Sequence, residues 1–150
     1  SSERRVAYLV DAARSRGLPP FLTTSSGLNS GFMMAQVTAA ALVAEARALA
    51  FPRSTDSIPT SADREDHVSM GMGSARAFAE VVRLTGYVLA IEAVVAAQGI
   101  DLRGLAPGRG VARAHAALRQ VVAPLHADRI LAPDFEEALA LIESGGLLSV

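Results

Sequence analysis

An all-α fold is what this sequence predicts, and three observations carry the prediction. Hydrophobic residues make up 51% of the 150-residue chain, yet aromatics make up only 5%. Alanine, the best helix former and a residue with little area to bury, fills 29 positions, which suits closely packed helices rather than a sheet core. Apolar residues also recur at helical spacing in long stretches separated by Pro, Gly and Ser clusters. The length is one domain's worth or less, so residues 1–150 are read as a single helical unit.

Arg4 to Arg14 form the first predicted helix, with Arg5, Leu9 and Ala12/Ala13 at helical spacing. Gly17-Leu18-Pro19-Pro20 stops it, because a residue before proline leaves the α region and Gly accepts the C-cap geometry. Asn29 and Ser30 are candidate N-caps for a helix over about 31–50. That helix is apolar nearly all round, with Phe32, Ala35, Ala39 and Leu42 on one stripe and Met33, Val37, Ala40 and Ala44 on another. Glu45 and Arg47 interrupt it well short of the ~20 apolar residues a membrane span needs, so a buried helix of a soluble protein is expected.

A second long helix is expected from about Val68 to Gln98, rich in Val, Leu and Ile, with Gly86 available for a close helix contact. Two helices without a wet face need other helices or other subunits around them. Beyond it, Val111, Ala114, Leu118 and Val121 mark one side of an amphipathic helix whose polar positions include Arg113 and Arg119. Pro133-Asp134-Phe135-Glu136-Glu137 starts a last helix, with proline in the first turn and acids near the positive end of the dipole. Gly145-Gly146 ends it. A helix so close to a start that is not Met, with no targeting segment, is expected of a fragment cut from a longer chain, and a cytoplasmic location follows.

Charge and composition narrow the function. All 14 basic residues are arginine and face 15 acidic ones, for a net charge of −1. That balance disfavours a polycationic nucleic-acid binder or a polybasic membrane-surface protein. The absence of cysteine removes disulfides, thiolate metal sites and a cysteine nucleophile. The densest polar cluster is Asp63-Arg64-Glu65-Asp66-His67. Its hard oxygen ligands would suit Mg or Ca, but no calcium-loop glycine or second ligand pair accompanies them, so no metal is expected. Read by pattern alone the cluster is a helix N-terminus capped by Thr60 or Ser61. No Gly-x-Ser-x-Gly elbow supports a nucleophilic serine. His115 and His126 read as solvated, Gly71-Met72-Gly73 lacks the strand a dinucleotide site requires, and Met33, Met34, Met70 and Met72 read as core packing.

Several blocks carry a more specific message: Gly17-Leu18-Pro19-Pro20-Phe21-Leu22, Gly27-Leu28-Asn29-Ser30-Gly31-Phe32-Met33, and Ala35-Gln36-Val37-Thr38-Ala39-Ala40-Ala41-Leu42. They continue through Asp56-Ser57-Ile58-Pro59-Thr60-Ser61-Ala62 and Glu65-Asp66-His67-Val68-Ser69-Met70-Gly71. In this order the blocks resemble the histidine ammonia-lyases of the aromatic amino acid lyase family. The likeness runs on more loosely through Ile91-Glu92, Gln98-Gly99, Asp128-Arg129 and Ala132-Pro133-Asp134.

The resemblance implies the C-terminal portion of a mostly helical subunit that assembles as a homotetramer around a large helix bundle. The implied reaction is elimination of ammonia from L-histidine to give trans-urocanate. The family's electrophile, methylidene-imidazolone, forms from an internal Ala-Ser-Gly, which occurs nowhere in this sequence. The cofactor is therefore expected from residues outside this chain, and the chain alone is expected to be inactive. Glu65 matches the Glu that the family's Asn-Gln-Glu-Asp-His motif contributes to the substrate pocket and is the expected catalytic residue. Asp63-Arg64 replaces the usual Asn-Gln, which makes Arg64 a substrate-binding candidate that departs from the family's glutamine. Its cation could pair with Glu65 or Asp66 and depress a carboxylate pKa. His67 favours the histidine branch. The alternatives are a tyrosine or phenylalanine lyase, an aminomutase of the same family, or a non-catalytic helical oligomerisation module.

Overall fold

The computed structural model describes residues 1–55 and 57–147; Asp56, which opens the Asp56–Ala62 block, lies outside the described residues. Among the described residues five helices make up the framework: α1 (Ser2–Val10), α2 (Met33–Leu49), α3 (Gly71–Arg103), α4 (Arg109–Arg119) and α5 (Ala132–Glu143), with short 3-10 turns at Pro20–Leu22 and Arg53–Thr55. No named strand occurs among the described residues, only two isolated bridges. The all-α prediction therefore holds. None of these helices is long and apolar enough to cross a membrane.

The 33 residues of α3 make a rod about 50 Å long, and α1, α2, α4 and α5 all pack on it. Its Ile91, Val94 and Val95 are buried against Val6 and Val10 of α1, Phe32 beside α2, Ala35 and Ala39 of α2, and Phe135, Ala138 and Leu139 of α5. Gly86 permits the α3–α5 crossing, since a Cβ there would lie 2.9 Å from Leu139 Cδ1. The helix starts at Gly71 rather than near Val68 and runs past Gln98 to Arg103, where Gly104 adopts a left-handed φ of 62°.

α1 is shorter than its apolar spacing suggested. It ends at Val10 because Asp11 takes an extended conformation and accepts a hydrogen bond from the Ala13 amide on its own Oδ1 at 2.9 Å. Short acidic side chains compete for backbone amides in this way. The buried face runs through Glu3, Val6 and Val10. Arg5 points outward to Glu92 instead of lying on the packed face.

The start of α2 also differs. Neither Asn29 nor Ser30 caps it; Phe32 occupies the N-cap position without a side-chain bond. The Asp128 carboxylate instead holds the turn that leads into the helix, accepting the Ser30 amide at 2.7 Å and the Gly31 amide at 2.9 Å. Asn29 Oδ1 accepts the Asp128 amide in return, at 3.1 Å. Gly31 sits at φ 53°, where a Cβ would overlap the Phe21 carbonyl oxygen.

Only one of the two apolar stripes of α2 is covered. Phe32, Ala35 and Ala39 are buried and Leu42 is half-buried, whereas Met33, Val37 and Ala44 are exposed and Ala40 is half-buried. Along α3, Met72, Phe78, Val82 and Leu89 are exposed as well. All four methionines lie at the surface, which corrects their reading as core: Met33 and Met34 are exposed in the first turn of α2, and Met70 and Met72 at the start of α3. In α4, Leu118 is buried but Val111 and Val121 are exposed, and Val122 takes the inward position instead. α5 begins with Pro133 in its first turn and Asp134 near its N-terminus, as the sequence predicts. It is followed by Gly145 at φ 75°.

Gln98 is the polar centre of this apolar packing, only 4% exposed. Its Nε2 donates to the carbonyls of Leu125 at 2.9 Å and Leu22 at 3.4 Å, and its Oε1 accepts the Leu125 amide at 2.9 Å. Replacing it with leucine leaves buried backbone groups unpaired, so Gln98→Leu is expected to lower unfolding free energy by roughly 1–3 kcal/mol in denaturant titrations.

Arg5 forks onto Glu92, with Nη2 to Oε2 at 2.9 Å, and ties α1 to α3. Burial pushes the Glu92 carboxyl up, but hydrogen bonds from Arg5 and Ser2, with the charge of Arg5, more than offset it and hold it below its ordinary value. A carboxyl lowered in the folded state stabilises above its unfolded pKa and loses that contribution as pH falls through the folded one. Wild type is therefore expected to melt above Glu92→Gln at neutral pH, and the gap to close as the pH is taken below the ordinary carboxylate range.

Candidate functional site

The cluster Asp63–His67 does not begin a helix, and neither Thr60 nor Ser61 caps one: α3 starts later, at Gly71, with Met70 in a left-handed conformation before it. The segment instead folds back as a tight hairpin. Thr60 and Glu65 form an antiparallel bridge, with Thr60 N–H to the Glu65 carbonyl at 3.0 Å and Glu65 N–H to the Thr60 carbonyl at 3.3 Å. Between them Ser61, Ala62 and Asp63 all take positive φ, at 57°, 55° and 63°. Left-handed geometry costs a non-glycine residue roughly 1–2 kcal/mol. Three in succession at one apex hold Glu65 at a defined place directly after the turn.

Glu65 is exposed, as is every residue from Ile58 to His67. Its Oε2 accepts a hydrogen bond from Thr60 Oγ1 at 3.4 Å. At the base of the loop the Val68 amide donates to Ser57 Oγ at 2.9 Å. Arg64 is exposed, and its amide donates to the Ser61 carbonyl at 3.3 Å. Among the described residues no ion pair joins its guanidinium to Glu65 or Asp66, contrary to the pairing the sequence suggested. Nor do the described residues include a group of three or more His, Cys, Asp or Glu that could hold a metal ion.

Of the other candidates, His126 is exposed as expected. His115 is half-buried and corrects its solvated reading: its Nε2 lies 2.7 Å from Asp101 Oδ1. Arg119 closes on the other oxygen of Asp101 at 2.6 Å and 2.9 Å. This cluster fastens α4 to the end of α3. Gly71-Met72-Gly73 is simply the first turn of α3. Clefts on the rod lie away from the hairpin, including one of about 400 Å³ lined by Leu89, Glu92, Ala93, Ala96, Ile142 and Leu147.

The candidate site is thus an exposed carboxylate on a strained, braced hairpin. It can accept hydrogen bonds from an imidazole or an ammonium group, or exchange a proton, once other surfaces wall it in. Pattern reading took this cluster for a helix start capped by Thr60 or Ser61; Glu65 and Arg64 were singled out through the family resemblance. Ser57 carried no signal beyond its place in a polar loop.

The family model for aromatic amino acid lyases matches residues 1–120, and the chain belongs to that family. Among curated relatives, a histidine ammonia-lyase from Sorangium cellulosum (strain So ce56) is 56% identical over 149 residues, covering 99% of this chain and 29% of the relative. Among solved structures, histidine ammonia-lyase from Trypanosoma cruzi superposes with a TM-score of 0.94 at 44% identity, over 99% of this chain and 29% of that one. Tyrosine aminomutase from Streptomyces globisporus gives 0.92 at 38% identity, over 99% and 28%. The chain spans under a third of the length of these relatives.

Proposed function

We propose that this chain is part of a lyase that eliminates ammonia from L-histidine to give trans-urocanate, and that Glu65 is its contribution to the catalytic pocket. The observation that carries the substrate choice is the 56% identity, over 99% of the chain, to a relative named for histidine. His67, on the hairpin beside Glu65, supports the same branch. The Glu65 carboxylate accepts a hydrogen bond from the substrate's imidazole or ammonium and takes part in proton exchange. The β-proton to be removed is weakly acidic, so orientation and exclusion of water carry much of the catalysis. Arg64, where the family has glutamine, stands next to that carboxylate as a second substrate contact.

This chain has no Ala-Ser-Gly, so its residues do not fit as the source of a methylidene-imidazolone group, and the electrophile belongs to another part of the subunit. The chain on its own is inactive in this reading, and it forms the C-terminal part of a cytoplasmic subunit. The exposed stripes on α2 and α3 support assembly into a homo-oligomer, with a tetramer as the family's form. The high superposition with tyrosine aminomutase keeps aminomutase chemistry as the second reading. A non-catalytic oligomerisation module is the third.

The coding sequence upstream of Ser1 is expected to carry an in-frame Ala-Ser-Gly. Finding it downstream of Val150 instead overturns the C-terminal placement, and finding none favours the non-catalytic module. In the complete protein, ammonia release from histidine is expected to exceed that from tyrosine or phenylalanine; a β-amino acid product points to the aminomutase. Glu65→Gln is expected to lower turnover by about 100-fold with the assembly unchanged by size-exclusion chromatography. Unaltered turnover removes Glu65 from the catalytic list.

A further inference from the structure

An exposed glutamate samples many rotamers, so a carboxylate that must meet a substrate in one orientation needs something to hold it. The hairpin provides a holder of an unusual kind. The two backbone hydrogen bonds of the Thr60–Glu65 bridge set the two residues directly opposite each other. Their side chains therefore emerge side by side. The Thr60 hydroxyl donates to Oε2 of Glu65 at 3.4 Å, which occupies that oxygen and not Oε1. The neighbouring charged side chain does not compete for this role, because Arg64 makes no ion pair with Glu65 among the described residues. The left-handed run from Ser61 to Asp63 keeps the bridge closed by turning the chain within three residues. The Ser57–Val68 bond closes the loop below it.

Resting on the reading of Glu65 as a substrate-contacting residue, we propose that Thr60 is its positioning residue: the hydroxyl fixes one carboxylate oxygen so that the other is presented to the substrate. At 3.4 Å the bond is long, and it shortens once a substrate engages Oε1. Valine matches threonine in shape and branching and lacks only the donor, while serine keeps the donor. The pair of variants therefore separates the hydrogen bond from the packing of the loop.

The test uses the complete enzyme and measures kcat and KM for histidine in Thr60→Val, Thr60→Ser, Glu65→Gln and the Thr60→Val/Glu65→Gln double variant. Thr60→Val is expected to lower kcat about tenfold with KM within about twofold, a loss confined to the oriented reacting state. Thr60→Ser is expected to restore kcat to within about twofold of wild type, and Thr60→Val to cost nothing further once Glu65 is already glutamine. A wild-type kcat in Thr60→Val beside a disabled Glu65→Gln overturns the positioning role and leaves the Glu65 reading standing. A tenfold loss that persists in the double variant, or that serine fails to rescue, also overturns it, because the loss is then structural. Full turnover in Glu65→Gln removes both readings together.

Discussion

The fold depends on one buried amide. Gln98 lies in the middle of the apolar surface of α3, where a leucine would satisfy the hydrophobic pattern equally well, yet it meets the backbone of two connecting segments, at Leu22 and at Leu125. The backbone at Leu22 and at Leu125 must bury its polar groups to let Leu22 and Leu125 pack inward. An amide carries a donor and an acceptor on one planar group, so a single side chain answers both the N–H and the C=O of Leu125. Without that answer the two loops would have to move outward to water. The core between α1, α2 and α4 would then open at their junction with α3. Apolar burial supplies the driving force for the packing, and Gln98 fixes which loop backbones accompany it.

The functional hairpin follows the opposite logic. It has no core beneath it, and every residue from Ile58 to His67 is exposed. Its shape is local, made by the Thr60–Glu65 bridge and a run of left-handed residues. Strain of this kind persists only where neighbouring bonds over-determine the backbone. Here these are the two backbone bonds of the bridge and the Ser57–Val68 bond. The Glu65 carboxylate carried in this way is exposed rather than seated among the packed helices. Such an arrangement suits a pocket whose walls come from several segments or subunits.

The helices were legible in the sequence because helical periodicity and Gly/Pro punctuation act locally. Pro133 in the first turn of α5, the Gly145 after it, and the Gly86 crossing were all readable from residue type alone. The limits of α1 and α2 were less so. Asp11 ends α1 through its own side chain, and the turn before α2 is held by Asp128, nearly a hundred positions away, which no local pattern reveals. Methionine stripes read as core because helical spacing marks an apolar face without saying what covers it. Glu65 was found through resemblance to a family. Its hairpin was missed, because left-handed residues are usually signalled by glycine or asparagine, and here serine, alanine and aspartate take that role.

The clamp between Asp128 and the Asn29–Gly31 segment has a consequence for how this chain is made. Its three hydrogen bonds join residues separated by 97 to 99 positions, so closing it costs the entropy of a loop that includes α2, α3 and α4. Contacts of that span form late and slow the approach to the native state. On the ribosome, the Ser30 and Gly31 amides ahead of α2 stay without their carboxylate until synthesis has passed Asp128. The order of completion therefore runs backwards along the sequence: the turn that leads into α2 receives its carboxylate only after α3 and α4 have been made.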